Sequence, residues 1–332
     1  MPHTSLAPTG VRLHKNFRKT VKCLELAPPL GGYWPDLWSS GWNQSLLASQ
    51  IAQVAAEGAN SIKISGSGVN EGTHTYPAES VFRTRRDWFL NQCRSNNLPV
   101  YWNIGNEPAQ VFGAAGDQGA TNIPIIAALA GTLEQDGGDV IMAIDGMDEM
   151  DDGGVSTWST TSVTAKCRSD VSALVQAIRA ATKLPLTMSV AVSSPTSMAS
   201  NPFIDLQYDL GLDFHDVHLY YQNGTYNASG LIPQSSDMVN LENRTKYLGR
   251  YIIGEMGCAI TAAQALQTTW FNGIGDIMRR PQCMGAVMFT LTNFDTVGGG
   301  DDFGMYTIAD TAFASPRLGM KTPFHNWIGG PL

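Results

Sequence analysis

Short apolar runs alternate along the chain with longer amphipathic stretches. Eight runs carry the composition of β-strands, and nearly all are continuous apolar segments, as expected for parallel strands that are buried on both faces. The predicted strands are Val21–Leu26, Ser61–Ser65, Pro99–Ile104, Asp139–Asp145, Leu184–Val192, Phe214–Tyr220, Tyr251–Glu255 and Ala286–Leu291.

The intervals between these runs place apolar residues at positions i, i+3 and i+4, the spacing of a helix with one buried face. The predicted helices are Leu46–Glu57, Glu79–Asn96, Ile123–Glu134, Ser162–Thr182, Asp237–Leu248 and Thr261–Met278, with a weaker pattern over Asn201–Leu210. Eight parallel strands alternating with helices close a barrel. The sequence therefore predicts one (β/α)8 (TIM) barrel, a single α/β domain over residues 17–332, preceded by an N-terminal arm at residues 1–16.

Composition agrees with one large globular domain. Hydrophobic residues make up 43% of the 332 residues and charged residues 15%, which suffices for a sizeable core. The net charge of −8 has no block of Lys and Arg to offset it, so a nucleic-acid partner is not expected. Neither an apolar run of about 18 residues nor a basic, apolar leader is visible. We expect no membrane partner and no signal peptide, and hence a cytoplasmic or, for a phage protein, virion-associated location.

The sequence offers little support for a bound metal or cofactor. The five cysteines are scattered without a CxxC spacing, which is typical of buried free thiols. The run Gly298–Gly300 leads into aspartates rather than a lysine and a helix, so it does not resemble a phosphate loop. An oxygen-ligand site for Ca²⁺ or Mg²⁺ is an alternative for the acidic residues around the end of the fourth strand, although their spacing is not that of an EF-hand. These are Asp145, Asp148, Glu149, Asp151 and Asp152. We expect no metal and no cofactor.

Two glutamates stand where the chemistry of such a barrel is expected. Active sites of TIM barrels lie at the carboxyl ends of the strands. Glu149 follows the fourth predicted strand and Glu255 ends the seventh, which places the two carboxylates on opposite sides of one pocket. A separation of roughly 5 Å would suit double displacement at the anomeric carbon of a sugar.

The order and context of these residues resemble clan A retaining glycoside hydrolases, whose acid/base follows the fourth strand and whose nucleophile ends the seventh. Ile252–Gly257 is similar to the nucleophile strand of that clan, and Asp216–Tyr220 is similar to its sixth strand with the His-x-Tyr ending. Asn293–Asp295 and Asp302–Tyr306 resemble its closing loop. Each motif is short, and only their ordered sum is specific.

The resemblance implies a retaining glycosidase that acts on an oligo- or polysaccharide. Glu149 would be the acid/base and Glu255 the nucleophile. Tyr220 would hydrogen-bond the carboxylate of Glu255, and His218 would line the same wall and contact a sugar hydroxyl. Alternate residues of a strand share a face, so both side chains are expected to point into the barrel mouth.

Three positions depart from the clan pattern. Asp148 replaces the asparagine whose amide donates to the sugar 2-hydroxyl, and an ionised aspartate can only accept; its charge would also raise the pKa of Glu149. Lys63 on the second strand stands where the clan has arginine. Phe289 on the eighth stands where tryptophan is common. All three are expected to contact substrate, and the replacement at Asp148 makes catalytic activity the open question.

Other candidates for the site come from the rim. Gly105–Pro108 spells the clan's acid/base motif more literally than Asp148 and Glu149 do, but Glu107 ends the third predicted strand. Glu107 is therefore an alternative acid/base, a sugar contact or a structural residue of the rim. Trp34 and Trp102 could offer their ring faces to a sugar, although large aromatic residues also dominate protein cores.

A second function is compatible with the same residues. A barrel whose catalytic site has decayed could bind glycans or serve, with protein partners, as a structural component of a larger assembly such as a virion tail. Cleavage of a glycan panel would distinguish this from the enzyme.

Overall fold

The computed structural model describes residues 20–26, 42–65, 79–105, 107–151, 153–192, 195–221, 238–244, 250–258, 264–291, 304–305, 314 and 325. The predicted N-terminal arm at residues 1–16 lies outside these ranges.

Parallel strands make up a single sheet in the order β5-β4-β3-β2-β1-β9-β8-β7-β6. Strands that follow one another in the chain are mostly neighbours in the sheet, and β9 returns to pair with β1. This is the strand order of a barrel. The strands are β1 (Val21–Glu25), β2 (Ser61–Ser65), β3 (Val100–Asn103), β4 (Ile141–Asp145), β5 (Leu186–Thr187), β6 (Ser189–Ala191), β7 (His215–Tyr221), β8 (Tyr251–Cys258) and β9 (Cys283–Met288).

The barrel closes through the fifth predicted strand. Residue 188 divides that strand into β5, which pairs with β4, and β6, which pairs with β7. A backbone hydrogen bond of 2.9 Å from Asp213 to Leu186 also joins β5 to the segment that leads into β7. The two short strands therefore occupy one position of the barrel, and the predicted eight-position (β/α)8 architecture is confirmed.

Helices lie between the strands and begin at recognisable caps. The side chain of Asn43 accepts a hydrogen bond from the Leu46 amide at the start of α1, and Thr164 does the same for Cys167 at the start of α5. Such caps satisfy amides that have no partner within the helix. The helices are α1 (Gln44–Ala56), α2 (Glu79–Ser95), α3 (Pro108–Phe112), α4 (Gly119–Gly137), α5 (Ala165–Ala181), α6 (Pro195–Ser200), α7 (Pro202–Asp209), α8 (Met238–Arg244) and α9 (Gln264–Met278).

Two apolar layers surround the strands. The larger fills the space between strands and helices, and the smaller, which includes Tyr101, Met142 and Phe214, fills the barrel interior. Ile62 and Ile64 of β2 belong to the outer layer. Because successive side chains of a strand point to opposite faces, the intervening Lys63 points inward. The same alternation directs polar side chains of the other strands toward the barrel axis.

Two further expectations can be compared with the structure. The five cysteines are free and buried, as predicted. No helix in the described ranges has the length and apolar character needed to cross a bilayer.

Candidate active site

Glu255 lies on β8 beside His218 of β7, with the two residues paired in register. The preceding residue must be glycine for this arrangement. A Cβ atom built on Gly254 would lie 1.8 Å from Oδ1 of Asp216. The absence of a side chain at Gly254 therefore lets the strand that carries Glu255 pass directly over a buried carboxylate.

The carboxylate of Glu255 is almost completely buried and is held by two hydrogen-bond donors and one ion-pair contact. Lys63 Nζ lies 2.6 Å from Oε1, the Tyr220 hydroxyl donates to Oε2, and His218 Nδ1 lies 3.4 Å from Oε2. Burial by itself would raise the pKa of Glu255, but the positive charges of His218 and Lys63 and the two hydrogen bonds lower it below its ordinary value. Glu255 is therefore ionised at neutral pH.

Glu149 follows β4 in a left-handed backbone conformation, with φ of +37°, a region that side-chain-bearing residues seldom adopt. Its amide donates to Ser189 Oγ at 2.8 Å, which fixes the turn. Burial raises the pKa of Glu149; the hydrogen bond and charge of His218 lower it, and Asp148 and Glu255 raise it further, to about 7. The carboxyl group can therefore exist in either protonation state near neutrality.

His218 joins the two glutamates. Its Nδ1 atom lies 2.9 Å from Oε1 of Glu149 and 3.4 Å from Oε2 of Glu255. The separation of these two oxygens cannot exceed the sum of the two distances, which falls below the roughly 6.5 Å at which inverting pairs begin. Burial disfavours a charged ring, but the negative charges of Glu255, Glu149 and Asp148 hold the pKa of His218 well above its ordinary value.

Asp148 lies beside the pair on the solvent side of the site. It accepts a hydrogen bond of 2.9 Å from Ser189 Oγ, and its side chain retains 24% of its exposure. Burial and the charge of Glu255 raise its pKa. As expected, the charge of Asp148 contributes to the raised pKa of Glu149.

Buried polar residues form a layer beneath the glutamates. Asp216 accepts a hydrogen bond from the Tyr101 hydroxyl, and Asp145 accepts one of 3.0 Å from the Asn103 side chain. Glu25 lies 3.4 Å from Lys63. These roles were not predicted from the sequence, although each of these polar residues interrupts or ends an otherwise apolar strand.

Trp102 was predicted to contact substrate, and the structure contradicts this. The side chain is fully buried in the outer core, and its ring packs edge-on against Phe89 of α2 at 5.8 Å. The neighbouring Tyr101 belongs to the interior layer. Because the faces of a strand alternate, the inward position of Tyr101 directs Trp102 toward the helices.

The remaining candidates have different positions. Phe289 packs edge-on against the Tyr220 ring, with centroids 5.7 Å apart, and so lies at the site. Glu107 is exposed at the start of α3, beyond the end of β3. The strand order therefore associates Glu149, rather than Glu107, with the fourth barrel position. Trp34 lies outside the described residues.

The acidic residues after β4 do not form one oxygen-ligand cluster. Asp145 accepts from Asn103 and from the Met147 amide, whereas Asp151 accepts from the Ala191 amide and from Asn201. Asp152 lies outside the described residues.

A different set of donors comes together at the site itself. Asp148, His218 and Glu255 each offer a ligand atom, and these atoms lie within 4.8 Å of one another. Lys63 already hydrogen-bonds Glu255, and Glu149 already hydrogen-bonds His218 Nδ1. These atoms therefore belong to the hydrogen-bond network of the site. The absence of a resident metal stays a prediction.

Sequence comparison with known proteins gives no relative. No protein-family profile matches the chain, and no curated protein matches it.

Comparison of structures, by contrast, identifies the architecture. The chain is similar to the β-glycosidase BGL167, with a TM-score of 0.64, 13% identity and coverage of 95% of this chain and 97% of that one. It is equally similar to a GH5-4 broad specificity endoglucanase from Clostridium longisporum, with a TM-score of 0.64, 12% identity and coverage of 95% and 97%. The chain shares the (β/α)8 barrel fold of these glycosidases. A third neighbour is the exo-β-1,4-mannosidase Op5Man5 from Opitutaceae bacterium strain TAV5, with a TM-score of 0.65, 12% identity and coverage of 92% of this chain and 58% of that one.

Proposed function

We propose that the protein is a retaining glycoside hydrolase that cleaves an oligo- or polysaccharide by double displacement, with Glu149 as acid/base and Glu255 as nucleophile. The observation that carries the proposal is the position of His218 Nδ1 between the two carboxylates. One oxygen of each carboxylate lies within 3.4 Å of this nitrogen. So short an approach favours direct attack by Glu255, because an inverting pair needs room for a water molecule.

In the first step, the carboxylate of Glu255 attacks the anomeric carbon while Glu149 donates its proton to the departing glycosidic oxygen. A covalent glycosyl-enzyme forms and the leaving group departs as an alcohol. The donors on Glu255 fix its orientation: Lys63 holds Oε1, and the Tyr220 hydroxyl binds Oε2.

In the second step, Glu149, now ionised, removes a proton from water. The water oxygen attacks the anomeric carbon, the bond to Glu255 breaks, and the sugar leaves with its original configuration. One residue must therefore act as acid and then as base. A pKa of about 7 for Glu149 and a lowered pKa for Glu255 provide this division of roles.

Variants of the two glutamates test the assignment on aryl glycosides of several configurations. Glu149→Ala should release an activated aryl leaving group in a first burst and then stall, because the leaving group needs little protonation but the intermediate needs a base. Azide should restart turnover and yield a glycosyl azide of retained configuration. Glu255→Ala should lose the covalent step, so azide would at best give the inverted product.

Glu107→Ala is the matched control. Glu107 is an exposed glutamate at the rim, and it lies in the segment Gly105–Pro108 that resembles the clan's acid/base motif. The variant should keep wild-type turnover. If Glu107→Ala instead shows the burst and azide rescue, the acid/base is misassigned. If wild type cleaves nothing across the panel, the glycan-binding alternative replaces the enzyme.

A further inference from the structure

Among the described residues of the site, carboxyl groups outnumber the cationic side chains near them. Lys63 lies within 4 Å of the carboxylates of Glu25 and Glu255. His218 lies within the same distance of Asp148, Glu149, Asp216 and again Glu255. Among the charged residues that the structure describes here, two cations are thus shared by five carboxylates.

Two of these five carboxyl groups are partly exposed. Glu25, Asp216 and Glu255 are almost fully buried, whereas the side chains of Asp148 and Glu149 keep 24% and 25% of their exposure. Under the proposed function, Glu149 is engaged with the leaving oxygen. Asp148 is then the carboxylate that remains for contact with the sugar itself.

Asp148 lies close to the reacting carbon. One of its oxygens is within 4.8 Å of a Glu255 carboxylate oxygen and of a His218 ring nitrogen. A sugar with its anomeric carbon at Glu255 carries two groups next to that carbon, the ring oxygen and the substituent at C2. The ring oxygen has no hydrogen to donate, so the C2 substituent is the group that a carboxylate can bind.

We propose that the sugar unit held at Glu255 carries a protonated amino group at C2, and that Asp148 pairs with this ammonium. The inference rests on the proposed function, because it uses the position of the anomeric carbon at Glu255. It makes Asp148 a specificity-determining residue for 2-amino-2-deoxy sugars.

The buried groups behind Asp148 support a cationic ligand over a neutral one. His218 Nε2 and Asp216 Oδ1 have no hydrogen-bond partner among the described residues, and each carboxylate within reach of His218 shares one imidazole charge. A 2-hydroxyl or an acetamido group can donate a hydrogen bond to Asp148 but adds no charge. An ammonium does both, and charge-assisted hydrogen bonds are roughly twice as strong as neutral ones.

The test compares kcat/KM for 4-nitrophenyl 2-amino-2-deoxyglycosides with that for the matching 2-hydroxy glycosides, in the gluco and galacto series, at about pH 6, where such an amine is protonated. Wild type should prefer the amino sugar. Asp148→Asn should lower this preference by about tenfold or more, since the ammonium loses its anionic partner and keeps at most a hydrogen bond to a neutral amide oxygen. Asp117→Asn removes an exposed carboxylate that has no assigned role in the site and should leave the preference unchanged.

Equal or better cleavage of the 2-hydroxy glycosides by wild type, or a preference that Asp148→Asn leaves intact, would overturn the inference while the glycosidase assignment stood. If neither series is cleaved, the proposed function fails, and calorimetry then decides the inference separately. Free glucosamine binding more tightly than glucose, with the difference lost in Asp148→Asn, would support it; equal affinities, or a difference that persists in the variant, would overturn it.

Discussion

Two neighbouring glutamates that share one histidine have different proton affinities. His218 contacts both carboxylates through Nδ1, but only Glu255 also receives Lys63 and the Tyr220 hydroxyl. Burial raises the pKa of Glu149, and His218 offsets part of this rise. For Glu255 the same burial is outweighed by the surrounding positive charges and donors. The chemistry of each glutamate is therefore set by its neighbours rather than by its own type.

The pH dependence of activity should report these two groups. Glu149 must be protonated, so kcat/KM should fall as pH rises through about 7. Glu255 must be ionised, so kcat/KM should fall again as pH drops through its lowered pKa. His218→Asn removes a group that lowers both values, and we expect both limbs to move to higher pH.

His215→Asn provides the control for this profile. His215 lies on the same strand, but its Nδ1 bonds Gln207 at 2.7 Å, away from the glutamates. Both limbs of the pH profile of His215→Asn should coincide with those of wild type. Unchanged limbs in His218→Asn would show that His218 does not set the two pKa values.

At the level of strands and helices, the hydrophobic pattern predicted most of the barrel. The alternation of runs identified every barrel position, because a strand buried on both faces leaves a continuous apolar signal. The pattern failed where local geometry overrides it. The fifth strand splits at residue 188, and the short helices α3 and α6 begin at prolines in segments too brief for a helical period.

Site residues were predictable to the extent that they follow from strand order. Glu149 and Glu255 came from their places at the fourth and seventh barrel positions. The contact between Tyr220 and Glu255 came from the resemblance to clan A, and alternation along the strand predicted only that His218 and Tyr220 share a face. Trp102 was assigned to the site because it ends a strand, without regard to which face it occupies. Asp216 and Tyr101 were missed because their contact joins residues 115 positions apart, which one strand's pattern does not show.

A buried glutamine fixes the element that carries His218. Gln207 of α7 is fully buried, and its Nε2 donates to the carbonyls of Met188 and Asp216 at 2.6 and 2.7 Å. Gln207→Leu would leave two buried carbonyls and the His215 ring without this partner. Each such loss costs about 1–3 kcal/mol, so we expect the loss of all three to lower the free energy of unfolding by about 3 kcal/mol or more.

Urea denaturation measures this change. Gln135→Leu is the matched control, since Gln135 is exposed on α4, and it should shift stability by no more than about 0.5 kcal/mol. Equal effects of the two substitutions would mean that the buried hydrogen bonds of Gln207 do not stabilise the fold.

For the molecule as a whole, the buried carboxyl groups of the site lower the stability of the fold at pH values where they ionise. Burial raises the pKa values of Asp145, Asp148 and Asp216 above the ordinary 3.8. Ionising any of these groups without a bound cation therefore makes the folded protein less stable. Function and stability thus have different preferred pH values.

Asp216→Asn should expose this conflict. In wild type the folded state holds a proton on Asp216 at pH values where the unfolded chain has already released it. That contribution to stability is fully present below the ordinary pKa of 3.8 and is lost as pH rises through the raised value. An amide has no such proton, so the variant should gain stability relative to wild type as pH rises from about 4 to 7, with a slope of at most about 1.4 kcal/mol per pH unit. Tyr101 can still donate to the amide oxygen, which preserves the packing.

Urea denaturation at several pH values would measure the difference, with the exposed Asp117→Asn as control. If wild type and Asp216→Asn keep a constant difference in unfolding free energy across this range, Asp216 does not hold a proton in the folded protein.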